Sequence, residues 1–131
     1  MPTPRDLSSK PAKSRRRALL APLHKKSKWV RAPLSKELRS TYHIRSLRVR
    51  TGDTVKVMRG GYKGLEGKVT RVFVREGRIA IEGLTRQTSR GRTVPIRIHA
   101  SKVTLVGLNL EDKRRKEKLE KLAKLRAEVK A

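Results

Sequence analysis

The turn-forming residues of this 131-residue chain are segregated along the sequence. All nine glycines lie between Gly52 and Gly107, and five of the six prolines lie at or before Pro33. Glycine permits the tight turns that join short strands, whereas repeated proline favours extended chain. We therefore predict four segments: a basic N-terminal arm (1–33), a short helix with a linker (34–50), a glycine-turned β domain (51–108) and a basic C-terminal helix (109–131).

The segment 51–108 has the two-residue hydrophobic period of half-buried strands. Five strands are predicted, over residues 53–58, 68–75, 78–82, 96–98 and 103–106. The second strand changes phase after Val69, which predicts a bulge near Thr70. Pro95 places the fourth strand at an edge of the sheet, and Thr85–Thr93 is predicted to be a polar, basic loop. Five short strands with glycine-rich turns predict a mainly β protein built on a small closed or nearly closed barrel.

A short helix is predicted immediately before the β domain. Ser35 is a favourable N-cap, and His43 is placed to end the helix. Three apolar residues recur every four positions and would form one stripe on it: Leu34, Leu38 and Tyr42.

The C-terminal segment 110–129 is also predicted to be helical, with Asn109 as its cap. It contains acid-then-base pairs four residues apart, including Glu111 with Arg115, and each such pair stabilises a helix by about 0.2–0.5 kcal/mol. The apolar seam of Leu119, Leu122 and Leu125 spans fewer than two heptads, too few for a coiled coil. Homo-oligomerisation is therefore not expected.

The charge balance predicts a polyanionic partner. The chain has 36 Lys and Arg against 11 Asp and Glu, a formal net charge of +25, and only 35% of its residues are hydrophobic. Such a charge opposes compaction unless a polyanion neutralises it, and the candidates are nucleic acid, an anionic membrane surface or an acidic protein. No apolar run is long enough to span a bilayer, so no transmembrane segment is predicted. No membrane partner is expected.

The sequence contains no pattern of catalytic or metal-binding residues. Cysteine is absent, and the three histidines, His24, His43 and His99, lie in different predicted elements. None of them has a Cys, Asp or Glu at metal-ligand spacing. We therefore predict neither enzymatic activity nor a catalytic residue, a metal site or a cofactor.

The N-terminal arm has the composition of a phosphate-binding segment. It has one acidic residue, Asp6, among its first 33 residues, and we expect it to be disordered without RNA. Ser14–Ala21 could form a short helix once its charge is neutralised. Trp29, the only tryptophan, either stacks on a base or anchors the arm to the β domain.

Candidate RNA contacts are the basic and neighbouring residues of the arm, the short helix and the linker, together with two loops of the β domain. They are Arg15, Arg16, Arg17, Lys25, Lys26, Lys28, Trp29, Arg31, Lys36, Arg39, Arg45, Ser46, Arg48, Arg59, Gly60, Gly61, Tyr62, Lys63, Gly64, Arg86, Arg90 and Arg92. Aromatic residues make up only 3% of the chain, so we expect recognition of the phosphate backbone and of RNA shape rather than a stacking sheet.

One part of the β domain resembles a known motif. The segment 52–64, Gly-Asp-Thr-Val-Lys-Val-Met-Arg-Gly-Gly-Tyr-Lys-Gly, followed by Glu66-Gly67-Lys68-Val69, is similar to a KOW motif. Gly60, Gly61 and Gly64 would permit positive φ in its loop, and Gly67 would allow close approach of a neighbouring strand.

The flanks narrow the resemblance to one family. Residues 32–39 and 44–47 resemble the segment that precedes the motif in ribosomal large-subunit protein 24 (protein 26 in eukaryotic naming), in its archaeal and eukaryotic branch. Residues 98–103 resemble that family's turn into its last strand, with Ala100 where proline is usual.

This resemblance implies an SH3-like barrel and a structural role in the large subunit of cytoplasmic ribosomes. It also implies binding to ribosomal RNA beside neighbouring ribosomal proteins, a position near the peptide exit tunnel and a part in subunit assembly. Two alternatives are a KOW-type transcription-elongation factor and a basic protein that compacts nucleic acid.

Overall fold

The computed structural model describes residues 8–130. Residues 1–7 of the predicted arm, and Ala131, lie outside the described part. The helices are α1 (Pro11–Leu20), α2 (Leu23–Lys26), α3 (Lys36–Tyr42) and α4 (Lys113–Lys130). The strands are β1 (Arg31–Pro33), β2 (Ser46–Arg48), β3 (Thr54–Val57), β4 (Glu66–Phe73), β5 (Arg78–Gln87), β6 (Thr93–His99) and β7 (Val103–Gly107). Two 3-10 turns, Ser27–Trp29 and Ala100–Lys102, precede β1 and β7.

Five of the strands form one antiparallel sheet in the order β6-β5-β4-β3-β7, and β1 and β2 form a separate two-stranded ribbon. The predicted barrel closure is wrong, because no ladder joins β6 to β7 within residues 8–130. The free edge of β7 is occupied instead by the chain before α3. Leu34 forms a parallel bridge with Leu105, and the Ser35 amide donates to the Leu105 carbonyl at 2.9 Å.

The bulge predicted near Thr70 is confirmed, since the register of β4 against β5 shifts between Val69 and Arg71. The edge position of the strand that contains Pro95 is also confirmed. The predicted loop Thr85–Thr93 is shorter than expected, because Thr85–Gln87 pair with Thr93–Pro95 and extend β5 and β6. Both faces of that hairpin are largely exposed and carry mostly polar side chains. The sequence therefore has no hydrophobic period there that would predict the pairing.

The hydrophobic core extends beyond the β domain. Val55, Ile79 and Leu105 of the sheet are fully buried, as are Val30 and Ala32 from the end of the predicted arm. The ribbon therefore packs as part of the folded body. Its register places Arg31 opposite Arg48 and Ala32 opposite Leu47.

The predicted features of α3 are confirmed. The Ser35 hydroxyl accepts the Leu38 amide, and His43 ends the helix in the left-handed conformation with φ 55°. Leu34 is buried, while Leu38 and Tyr42 pack against the core.

The C-terminal helix starts three residues later than predicted. Asp112 caps it, because its Oδ1 accepts the Arg114 amide at 3.0 Å. Asn109 accepts the Glu111 amide instead and lies before the helix. Leu119 is buried in the core and Leu122 packs against it, so α4 lies on the folded body.

Candidate nucleic-acid interface

A groove lined by cations separates the β1–β2 ribbon from α4. Its apolar lining consists of Ile44, Leu47 and Leu122. Five basic residues line it: Lys28, Arg31, Arg48, Lys118 and Arg126. We call these five cations and their apolar lining the basic groove. No acidic side chain lines it, and none of its cations forms an ion pair among residues 8–130. The groove therefore presents uncompensated positive charge to a polyanion.

The ribbon holds two of these cations side by side. Arg31 lies directly opposite Arg48 in the β1–β2 register, and its Nη2 donates to the Ser46 carbonyl at 3.1 Å. Like charges directly opposite each other destabilise a strand pair. An anion bound between them would remove that repulsion, so the ribbon is suited to a phosphate group.

A buried ion pair holds α4 against the sheet. Asp53 is fully buried and Arg115 is 6% exposed. The Arg115 guanidinium donates from Nη1 to Oδ1 of Asp53 at 2.6 Å and from Nη2 to Oδ2 at 2.7 Å. This two-pronged geometry is the strong form of a charge-assisted hydrogen bond. It fixes the first turns of α4, and the packing of Leu119 and Leu122 continues the contact along the helix that carries Lys118 and Arg126.

The remaining polar atoms of this pair are also satisfied. Arg115 donates to the carbonyls of Asn109 and Arg48, and the Asp53 carboxylate accepts the amides of Arg50 and Asn109. The pair thus joins the start of α4 to the end of the ribbon and to the chain leaving β7. The predicted pair of Glu111 with Arg115 is wrong, because Arg115 points into the body rather than along its own helix.

A second ion pair lies at the surface beside the first. Arg50 donates to Asp112, the cap of α4. The Arg50 guanidinium is the largest cause that holds the pKa of Asp112 below its ordinary value of 3.8, and the backbone amide of Arg114 acts in the same direction. The ionised carboxylate is therefore the form that the folded chain favours.

The glycine-rich loop between β3 and β4 is exposed, including Arg59 and Lys63. Gly60 has φ 94° and Gly64 has φ 91°, as predicted, whereas the predicted positive φ is wrong for Gly61. A Cβ on Gly67 would lie 2.7 Å from Cγ2 of Ile81, so the predicted close approach of strands at this glycine is confirmed. The loop thus presents its cations on a tightly folded backbone.

The other predicted contacts are distributed over several surfaces. Arg15, Arg16 and Arg17 lie on α1, which has no buried residue. Lys36 and Arg39 are exposed on α3, as is Arg45 before β2. Arg86, Arg90 and Arg92 are exposed in and beside the β5–β6 hairpin. Of the predicted set, Lys28, Arg31, Ser46 and Arg48 meet in the basic groove.

Trp29 and the two lysines before Lys28 lie near the end of α1. The Trp29 side chain is 53% exposed and lines a hollow with Ala18, Leu20 and Pro22. Lys26 donates from Nζ to the Leu19 carbonyl at 2.8 Å, while Lys25 is exposed. Trp29 therefore keeps an exposed surface as well as a contact with the arm.

Comparison with known proteins identifies the family. A family model that describes the eukaryotic ribosomal proteins L26 and their archaeal counterparts of the protein 24 type matches residues 8–122. The chain belongs to this family. A relative from Saccharolobus solfataricus, named large ribosomal subunit protein uL24, is 50% identical over 118 residues, which cover 90% of this chain and 99% of the relative. A relative of the same name from Korarchaeum cryptofilum is 47% identical over 114 residues, covering 87% of each chain. One from Sulfolobus acidocaldarius is 43% identical over 122 residues, 93% of this chain and 91% of the relative.

The family match includes every predicted contact residue but ends before Arg126. The sequence did not predict that Lys118 and Arg126 lie beside the ribbon. It does not show which face of α4 packs on the folded body, so it does not distinguish these two from the other seven of the nine cations of α4. The available signal was the spacing of Arg115, Leu119 and Leu122, which shares one side of the helix with Lys118 and Arg126.

Other classes of site receive no support from the described residues. Within 8–130, no group of three or more His, Cys, Asp and Glu side chains is placed to hold a metal ion. None of the described helices is long and apolar enough to cross a membrane.

Proposed function

We propose that this chain is a structural constituent of the large subunit of cytoplasmic ribosomes and binds its ribosomal RNA through backbone phosphates and RNA shape. Membership of a ribosomal protein family supports the assignment, and the relatives carry the name of a large-subunit protein. The observation that carries RNA binding is the basic groove, whose five cations lack acidic partners among the described residues. We also propose that the candidate contact residues predicted from the sequence bind this RNA.

The finer fold assignment is part of the same proposal. We infer an SH3-like sheet of KOW type that is curved but does not close into a barrel. The bulge at Thr70, the positive φ of Gly60 and Gly64, and the close approach at Gly67 support this inference.

The salt dependence of RNA binding tests the basic groove. Affinity for RNA falls with salt by a logarithmic slope of about 0.7–0.9 for each phosphate that the protein neutralises. The triple variant Arg31→Gln, Arg48→Gln and Arg126→Gln should therefore reduce the slope for large-subunit ribosomal RNA by about 2 to 3. The slope is measured by titration of the full chain over a range of salt concentrations.

A matched variant removes the same charge from the other side of α4. Lys113, Lys116 and Lys124 project away from the basic groove by helical spacing, and their replacement by Gln should change the slope less. Equal reductions of the salt slope by the two variants would show that the basic groove is not a specific site of RNA binding. Failure of the unaltered chain to bind ribosomal RNA or large subunits at low salt would overturn the function itself.

The proposal extends to a place near the outlet of the peptide exit tunnel, among neighbouring ribosomal proteins, and to a role in subunit assembly. These points rest on the family resemblance. Crosslinking of ribosome-bound nascent chains tests the position, because a chain emerging from the tunnel should crosslink to this protein. A nascent chain that crosslinks only to other proteins would contradict the position while leaving RNA binding intact.

A further inference from the structure

The outer face of the β4–β5–β6 region is unlike its inner face. Val72 of β4, Ile79 of β5 and Ile98 of β6 lie in one row of the register and pack on the core. The adjacent row contains Arg71, Ala80 and Arg97. Because side chains alternate between faces, this second row lies on the outer side of the sheet.

An aromatic ring on this outer face lies close to two arginines. The guanidinium carbon of Arg97 lies 4.2 Å from the centroid of the Phe73 ring, and that of Arg71 lies 5.1 Å away. Glu76 holds Arg97 through an ion pair of 2.5 Å. Ala80, between the two arginines in the register, is fully buried. Both guanidinium groups lie within cation–π distance of the Phe73 ring.

Phe73, Arg71, Arg97 and Glu76 line a hollow of about 610 Å³, which we call the arginine hollow. Its charged lining is Arg71, Arg78, Arg86, Arg97 and Glu76. Its apolar lining is Phe73, Val94, Pro95 and Ile96. Four positive charges against one negative charge favour an anionic occupant. The apolar wall favours an occupant that also has an uncharged, flat surface.

We propose that the arginine hollow binds an unpaired nucleotide of RNA. The base stacks on the guanidinium planes held by Phe73 and against the apolar wall, while Arg78 and Arg86 contact the flanking phosphates. Arginine planes and aromatic rings are the surfaces on which proteins receive splayed-out RNA bases. A continuous duplex keeps its bases stacked internally and cannot offer one to the hollow. This proposal rests on the proposed RNA-binding function and adds a second, single-strand-specific contact to the basic groove.

Charge-preserving variants separate stacking from simple attraction. The double variant Arg71→Lys and Arg97→Lys keeps both charges but removes the planar groups. It should weaken binding of an unstructured single-stranded RNA oligomer by about fivefold to tenfold, in line with the loss of one stacked base. Binding of an RNA duplex of equal charge should change less than about twofold, and the salt slope should stay the same. Titrations use the full chain and fluorescence anisotropy.

Phe73→Leu provides a second variant, because it retains apolar bulk and removes the ring that holds both guanidinium groups. It should weaken single-strand binding in the same direction without altering the salt slope. Arg114→Lys on α4 is the matched control and should leave both titrations unchanged. Circular dichroism melting curves of each variant establish that the fold is retained.

Each outcome bears on a distinct proposal. If the unaltered chain binds neither RNA, the proposed function fails. If it binds ribosomal RNA but the hollow variants behave like Arg114→Lys, the arginine hollow is wrong and the function stands. An acidic peptide that displaces the single strand, and whose own binding is lost in Phe73→Leu, would assign the hollow to a protein segment and overturn the nucleotide proposal.

Discussion

Two basic helices, α1 and α4, precede and follow the sheet in the sequence, and they differ in how they relate to the folded body. Helix α1 has no buried residue, whereas α4 buries Arg115 and Leu119. Both helices are rich in cations, and neither has a strong apolar stripe along its length. The difference comes from individual contacts, because Asp53 offers Arg115 a buried carboxylate and the core accepts Leu119. Composition therefore does not decide which basic helix becomes part of a fold.

The difference has a consequence for RNA binding. Docking of α4 places Lys118 and Arg126 beside the ribbon, in the basic groove, before any RNA arrives. The arginines of α1 have no buried side chain on their own helix to hold them against the sheet. Pre-positioned groups lose less conformational freedom on binding than groups that become ordered at that moment. We therefore expect each groove cation to contribute more affinity than each cation of α1.

Replacing Asp53 should have the largest effect on the difference between α1 and α4. Asp53→Ala leaves the Arg115 guanidinium buried with only carbonyl partners, and loss of one member of a buried pair destabilises proteins by about 3–5 kcal/mol. Urea unfolding of the full chain measures the change in the free energy of unfolding. Protection of α4 amides from hydrogen exchange should fall toward that of α1.

Two further variants control this measurement. Asp53→Ala combined with Arg115→Met removes both charges and should recover part of the lost stability, because no unpaired charge remains buried. Arg114→Met, at an exposed neighbouring position, should change stability by no more than about 0.5 kcal/mol. A loss below about 1 kcal/mol for Asp53→Ala would mean that the ion pair does not hold α4.

Leucine truncation compares the two helices directly. Leu119 of α4 is 1% exposed and Leu20 of α1 is 72% exposed. Leu119→Ala removes buried methyl groups and should cost about 2–4 kcal/mol, whereas Leu20→Ala should stay within about 0.5 kcal/mol. Thermal melting followed by circular dichroism measures both. Equal losses would show that α1 is packed as firmly as α4.

Local patterns predicted the parts of the fold that depend on neighbouring residues. The bulge at Thr70 follows from a phase change within one strand, and the end of α3 at His43 follows from an apolar stripe and a cap. The strand edge at Pro95 follows from a missing N–H. In each case the cause lies within a few residues of the feature, so the sequence contains the information.

Features that depend on distant residues were not predicted. Arg115 has an acid four residues before it, yet its partner is Asp53, 62 residues away. The choice between these two acidic partners depends on which carboxylate is buried. Burial depends in turn on how the strands assemble. The strand β1 is three residues long and contains Pro33, so it has no period to detect. The basic groove was missed as a unit for the same reason, since the ribbon and α4 meet only after folding.

The cap of α4 provides a smaller, pH-dependent test. Asp112→Asn keeps a side-chain oxygen for the Arg114 amide but loses the ion pair with Arg50. Because the pKa of Asp112 is lowered in the folded chain, its stabilising effect is fully present above the ordinary value of 3.8 and is lost as the pH falls through the folded value. The melting temperature of Asp112→Asn should thus be slightly below that of the unaltered chain at neutral pH.

The difference between these two proteins should disappear in acid, where Asp112 is protonated in both the folded and the unfolded chain. Melting curves recorded at a series of pH values test this sign. A difference that persists at the acid end would assign the effect to the cap hydrogen bond rather than to the ion pair. At neutral pH the loss should remain smaller than that of Leu119→Ala, because the Arg50–Asp112 pair is exposed.

Replacing Arg15, Arg16 and Arg17 by Ala should have the smallest effect on stability, no more than about 0.5 kcal/mol, because α1 buries no residue. The same variant should nevertheless reduce the salt slope of RNA binding, by up to about 2 to 3 if each arginine contacts one phosphate. The α1 variant should thus weaken RNA binding without lowering stability. Asp53→Ala should lower both, because it releases the helix that carries Lys118 and Arg126. An unchanged slope would show that the arm does not contact phosphate, and a clear loss of stability would show that α1 packs on the body. The joint measurement therefore distinguishes a helix that belongs to the fold from one that serves only its partner.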